Sequence, residues 1–93
     1  MYERILQQMQ EKIRSRQYVM TLHAEEEMDE DELSIFDIES LILTGSIIER
    51  QRDSETAEWK YVIEGETIDG SSACAVGKIS ITSKLVIITV YRE

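Results

Sequence analysis

The hydrophobic period of the chain changes once. Up to Gly45 apolar residues recur at steps of three and four, and from Ser46 onward at steps of two. The first regime predicts helices. Residues 2–16 form an amphipathic one, with Tyr2, Leu6, Met9 and Ile13 on a single stripe, Ile5 beside it and no proline or glycine to interrupt it. Gln17 to Met20 reads as a short extended link. Thr21 suits an N-cap, because its hydroxyl can accept one of the free N–H groups of a first helical turn. A helix from Leu22 to about Asp31 follows, expected to bury Leu22, Ala24, Met28 and, just beyond it, Leu33. Ser34-Ile35-Phe36-Asp37 resembles a capping box with Asp in the Glu position. It opens a third helix running to Thr44, with Ile35, Ile38, Leu41 and Ile42 facing the core. Gly45 is expected to end it by adopting positive φ.

The second regime predicts four strands: Ile47–Arg52, Glu58–Glu64, Ala73–Thr82 and Leu85–Tyr91. The turns between them are Asp53–Ala57, Gly65–Ser72 with its Asp69-Gly70 pair, and Ser83-Lys84. Trp59, Tyr61 and Ile63 share one face of the second strand, and Lys60 and Val62 the other. In the last strand Leu85, Ile87, Thr89 and Tyr91 share a face; Val86, Ile88 and Val90 form the other, purely aliphatic and therefore the expected core side. Helices followed by a strand meander predict an α+β fold, with N-terminal helices on a four-stranded antiparallel sheet.

At 93 residues the chain is expected to be one domain (1–93). No stretch approaches the roughly 18 apolar residues of a membrane span. The N-terminus lacks a signal-peptide layout, and a lone Cys74 cannot form an internal disulfide. A cytoplasmic protein is expected. The net charge of −9 is uneven. Residues 1–22 carry four bases and two acids, residues 23–45 nine acids and no Lys or Arg, and residues 46–93 eight acids and six bases. This balance opposes nucleic-acid binding, which Lys and Arg drive.

The only histidine, His23, lies beside the densest charge: seven of the eight residues from Glu25 to Glu32 are acidic. An imidazole titrates near neutral pH and suits proton transfer; equally, a first-turn histidine can simply hydrogen-bond Glu26 or Glu27. The acid run is either a solvated helix face or a docking surface for a basic partner. Cys74 is a small buried hydrophobe or a thiol nucleophile, and the second needs a positive, partly open environment. A metal site can be drawn from His23, Glu27 and Cys74, although that helical spacing is commonplace. Trp59 and Tyr61 are core aromatics or base-stacking platforms.

Thr21-Leu22-His23-Ala24, Met28, Leu33-Ser34, Asp37-Ile38 and Gly45, then Gly65-Glu66-Thr67, Asp69-Gly70 and Ile87-Ile88-Thr89-Val90-Tyr91, together resemble the DUF4258 family over Tyr18 to Tyr91. The resemblance implies kinship with small RelE-like and MqsR-like toxins and a RelE/MqsR-like fold. It also implies an antitoxin partner of the MqsA-like zinc-finger type, and metal-independent cleavage of an RNA substrate without cofactor. Two departures stand out. Glu27 and Asp31 occupy positions where the family usually carries arginine, and Cys74 a position where it often has histidine.

Metal-independent cleavage of RNA needs a base, an acid and donors for the phosphate charge. On this basis His23 is the expected proton-transfer residue. Thr89, Tyr91 and Lys78 are the expected phosphate-side groups, with Lys60 and Arg92 as further cations. The alternative is a non-catalytic protein-interaction module on the same fold, its active site degenerate at Glu27, Asp31 and Cys74.

Overall fold

A computed structural model describes residues 1–93. In chain order the elements are α1 (Glu3–Arg14), β1 (Tyr18–Met20), α2 (Leu22–Glu30), α3 (Ile35–Thr44), β2 (Ser46–Arg52), β3 (Trp59–Glu66), β4 (Ser72–Ile79) and β5 (Leu85–Arg92). The strands form one five-stranded sheet in the order β1-β5-β4-β3-β2. The α+β class is as expected, but the sheet is mixed. The stretch read as a link is β1, which pairs parallel to β5 with Tyr18 opposite Leu85 and Met20 opposite Ile87. Three residues with no repeating alternation carry too little pattern to announce an edge strand. No helix is long and apolar enough to cross a membrane.

The local signals act as the sequence suggests. The Thr21 hydroxyl accepts the Ala24 N–H at 3.1 Å, and Ser34 and Asp37 complete a reciprocal capping box. Gly70 takes φ +86° in its turn. Gly45, by contrast, ends α3 in an extended conformation (φ −94°), not a left-handed one. Its small size is needed for another reason. A Cβ there would come within 2.5 Å of the Leu41 and Glu64 carbonyl oxygens, and one on Gly65 within 2.0 Å of the Leu41 oxygen. The end of α3 thus rests directly on the backbone of β3.

All three helices pack on one face of the sheet. Met9 and Ile13 of α1, Ala24 of α2, Leu33, and Ile38, Leu41 and Ile42 of α3 meet Ile63, Ala73, Ala75, Leu85, Ile87 and Val90. Leu22, expected inside, is 71% exposed. The expected core face of β5 holds at Val90 but not at Val86 and Ile88, whose places Leu85 and Ile87 take, because the register with β4 slips by one residue between Val76 and Gly77. Ile88 is the extra residue. Leu85 and Ile87 precede the bulge and Val90 follows it, so these three face the helices. Thr89 and Tyr91 are turned to the opposite face, beside Val76 and Cys74.

Candidate functional site

β1 covers only the first half of the outer edge of β5, and α2 covers the second half. The Thr21 N–H donates to the Ile87 oxygen at 3.0 Å, and its hydroxyl to the Ile88 oxygen at 3.1 Å, where the bulge falls. Six residues on, the Glu27 carboxylate accepts the Val90 N–H at 3.2 Å, and one helical turn later Asp31 accepts the Arg92 N–H at 3.0 Å. Four helical residues advance about 6 Å and two strand residues about 6.6 Å, so carboxylates spaced by four match strand donors spaced by two. The Arg92 guanidinium completes the seam by donating to the Asp31 oxygen at 2.8 Å and the Glu32 oxygen at 3.3 Å. A cation thereby sits at the negative end of the α2 dipole, which has no basic residue in its own last turn. Glu27 and Asp31 therefore act as substitutes for a neighbouring strand. The other acids of the run, Glu25, Glu26, Asp29, Glu30 and Glu32, are exposed and form no ion pair.

His23 begins the stripe that Glu27 and Asp31 continue. Its side chain is 65% exposed, and its Nε2 lies 3.3 Å from Glu27 Oε1, the same oxygen that holds Val90. Thr89 and Tyr91 project from the helix-free face. Lys78, opposite Val86 in the ladder, points its Nζ at Glu58 3.5 Å away. No hydrogen bond or ion pair connects any of the three to His23. The three surface cavities, of about 430, 250 and 340 Å³, all adjoin α1 or the residues just before it, and none is lined by His23, Thr89, Tyr91 or Lys78.

The helix-free face holds a second group of titratable side chains. Cys74, 1% exposed, clusters with Val62 and Val76. Burial pushes its thiol up, while a hydrogen bond with the Tyr91 hydroxyl pulls the other way; the same bond, with burial, raises Tyr91. Beside them Glu64 and Glu93 share a hydrogen bond, which raises Glu64. Glu93 is held down first by the Ser72 hydroxyl, 2.8 Å from its Oε1, and then by Glu64. Donor atoms of Glu64, Cys74 and Glu93 lie within 4.8 Å of one another, the spacing that a metal ion would need. The set drawn from sequence, His23 with Glu27 and Cys74, is not assembled: Cys74 points away from the helices, into this other group. A thiol raised by burial is also a poor nucleophile.

A family model described as a domain of unknown function, DUF4258, matches residues 20–92. This chain belongs to the DUF4258 family. No curated protein and no solved structure matches it. The matched span of this DUF4258 domain runs from the end of β1 through β5, and so contains the whole α2–β5 seam. It leaves out α1, although Met9 and Ile13 of that helix are core residues. Glu64 and Glu93 of the helix-free face carry no signal in sequence. They lie 29 residues apart and meet only because β3, β4 and β5 are adjacent in the sheet.

Proposed function

We propose that this DUF4258 chain is a non-catalytic protein-interaction module. The observation that carries the proposal is that no hydrogen bond or ion pair joins the members of the expected catalytic set. His23, largely exposed, has only Glu27 as partner, Thr89 and Tyr91 project from the helix-free face of the sheet, and Lys78 is paired with Glu58. The acids that replace the family's arginines support the same reading, since they are engaged in holding β5 and leave no cation beside His23 for a phosphate. The RelE- and MqsR-like kinship, the cytoplasmic location and an antitoxin-type protein partner belong to this proposal. The chain is a toxin-derived fold that retains binding and has lost cutting.

The test is to incubate the purified chain with single-stranded RNA and to induce it in a bacterial host, in parallel with His23→Ala. Intact RNA, undisturbed growth and no RNA binding that strengthens as salt is lowered are expected. Cleavage by the wild type that His23→Ala abolishes would sink the proposal.

One observation favours the enzyme reading. The His23 imidazole is open to solvent and has a carboxylate 3.3 Å from Nε2, an arrangement that orients a general base. On that reading His23 transfers the proton in metal-independent RNA cleavage, and the substrate itself must bring Thr89, Tyr91 or Lys78 into play. The cleavage assay decides between the two.

A further inference from the structure

β2 is the end strand of the sheet on the side away from β1. Its inner edge pairs with β3, with a register slip at Ile48 between Ile47 and Glu49. No strand pairs with its outer edge, so half of its backbone N–H and C=O groups are free to template an added strand. The residues that guard this edge are unusual for so acidic a protein. Arg50 and Arg52 are two apart and project from one face. The Arg50 guanidinium lies 3.8 Å from the centroid of the Trp59 ring and that of Arg52 4.8 Å from it. Arg50 also lies 5.8 Å from the ring of Tyr2, which meets Tyr61 edge-on. Stacking of this kind fixes the plane of a guanidinium but leaves its in-plane N–H fork available for a carboxylate. Neither arginine forms an ion pair within the chain, although it carries 19 acidic residues.

We propose that the outer edge of β2 binds an extended acidic segment of a protein partner by strand addition. Carboxylates at alternate positions of that segment seat on Arg50 and Arg52. The proposal rests on the interaction-module reading and gives its partner a chemistry. A second copy of the chain is the wrong occupant, because antiparallel pairing of two β2 strands over this stretch sets arginine against arginine. A nucleic acid is also wrong. It cannot use the free backbone groups of a strand edge, and a long polyanion reaches beyond the screening length of about 8 Å into the field of a protein of charge −9. A short acidic segment avoids that field. The exposed acids of α2 lie along the β5 side, three strand spacings or roughly 14 Å from β2.

Trp59 is the only tryptophan, so its emission reports directly on this edge. The experiment titrates the full chain with a blocked octapeptide of alternating Glu and Val. Controls are the Lys-Val counterpart, the Glu-Val peptide methylated at alternate backbone amides, and a single-stranded oligouridine. A saturable emission change with the Glu-Val peptide alone, weakening as salt rises, is expected. Methylation is expected to abolish it. The double variant Arg50→Glu/Arg52→Glu, verified as folded by circular dichroism, should bind the Glu-Val peptide at least about tenfold more weakly and respond to the Lys-Val peptide instead. The proposal is overturned by no saturable response, by equal binding of the two unmethylated peptides, by undiminished binding of the methylated one, by unchanged affinity in the reversed variant, or by tighter binding of the oligouridine. His23-dependent RNA cleavage would remove the interaction-module reading without touching a positive result at β2. A silent titration with RNA left intact would remove only the β2 proposal.

Discussion

Glu27 holds the backbone N–H of Val90 at 3.2 Å, across 63 positions of sequence. Its carboxylate is one-quarter exposed and serves both a strand edge and the His23 ring. Replacing it with alanine leaves the Val90 donor without a partner at a half-covered site. Glu27→Ala should therefore cost about 1–2 kcal/mol in urea unfolding, and Glu27→Gln, which retains an acceptor oxygen, well under half of that. Glu27→Arg should be the worst of the three, since it sets donor against donor. Hydrogen exchange at the Val90 amide is the direct check: it should quicken in the Ala and Arg variants and stay slow in the Gln variant. Equal stability of all four proteins would show that the seam is incidental.

Gly65 should tolerate no side chain at all. A Cβ at that position would lie 2.0 Å from the Leu41 carbonyl oxygen and 2.8 Å from its carbon, both of them backbone atoms that cannot step aside. Gly65→Ala is expected to lose more than about 3 kcal/mol or to fail to fold. Gly70→Ala meets no atom within 4 Å and strains only a φ of +86°. Its cost should be about 1 kcal/mol. Thermal melts of the two variants side by side would expose any reversal of this order.

Asp69 gives the chain an acid-sensitive turn. Bonds from the Thr67 hydroxyl and from Ser71 hold its carboxyl down to about 2, from an ordinary 3.8. A carboxyl depressed by folding stabilises the native state above its unfolded value, and that contribution fades as pH falls through the folded one. The stability gap between wild type and Asp69→Asn should accordingly be constant above about pH 5 and close progressively toward pH 2. A gap that stayed flat from pH 5 to pH 2 would contradict the assignment.

Cys74 should be nearly inert in the native protein. At 1% exposure, with its thiol pushed up by burial, it can react only when the sheet opens. Alkylation by iodoacetamide at pH 8 is expected to run at least about 100-fold slower than in denaturant. Comparable rates would mean that the helix-free face is open around the sulfur.

What could be read from the sequence was set by near neighbours. The stripe of α1, the Thr21 and Ser34 caps and the Asp69-Gly70 turn involve residues within one or two turns of each other, and each formed where its pattern stood. The face of β5 could not be read in this way. Both of its alternating rows are largely apolar, and the only mark of the bulge that exchanges them is Gly77 on the partner strand β4. Its carbonyls at Ile87 and Ile88 are held by Thr21, far away in sequence. The acid run hid its role for a similar reason. Seven acids in eight residues look alike until the path of β5 selects Glu27 and Asp31 from among them. His23 was correctly placed on the first turn of α2. Which face of the sheet a strand residue takes is set at longer range, and the bulge is what turns Thr89 and Tyr91 to the helix-free face.

The α2–β5 seam also fixes when the protein can first exist. Thr21 and its partner Ile88 are 67 residues apart, and the core has no Leu85, Ile87 or Val90 until β5 is in place. On a translating ribosome, three helices and three antiparallel strands would be exposed before the strand that joins them emerges. Folding must then wait for the whole 18–92 span to clear the exit tunnel. Such long-range closure slows folding, and the interval before it is when the nascent chain is most open to chaperones and proteases.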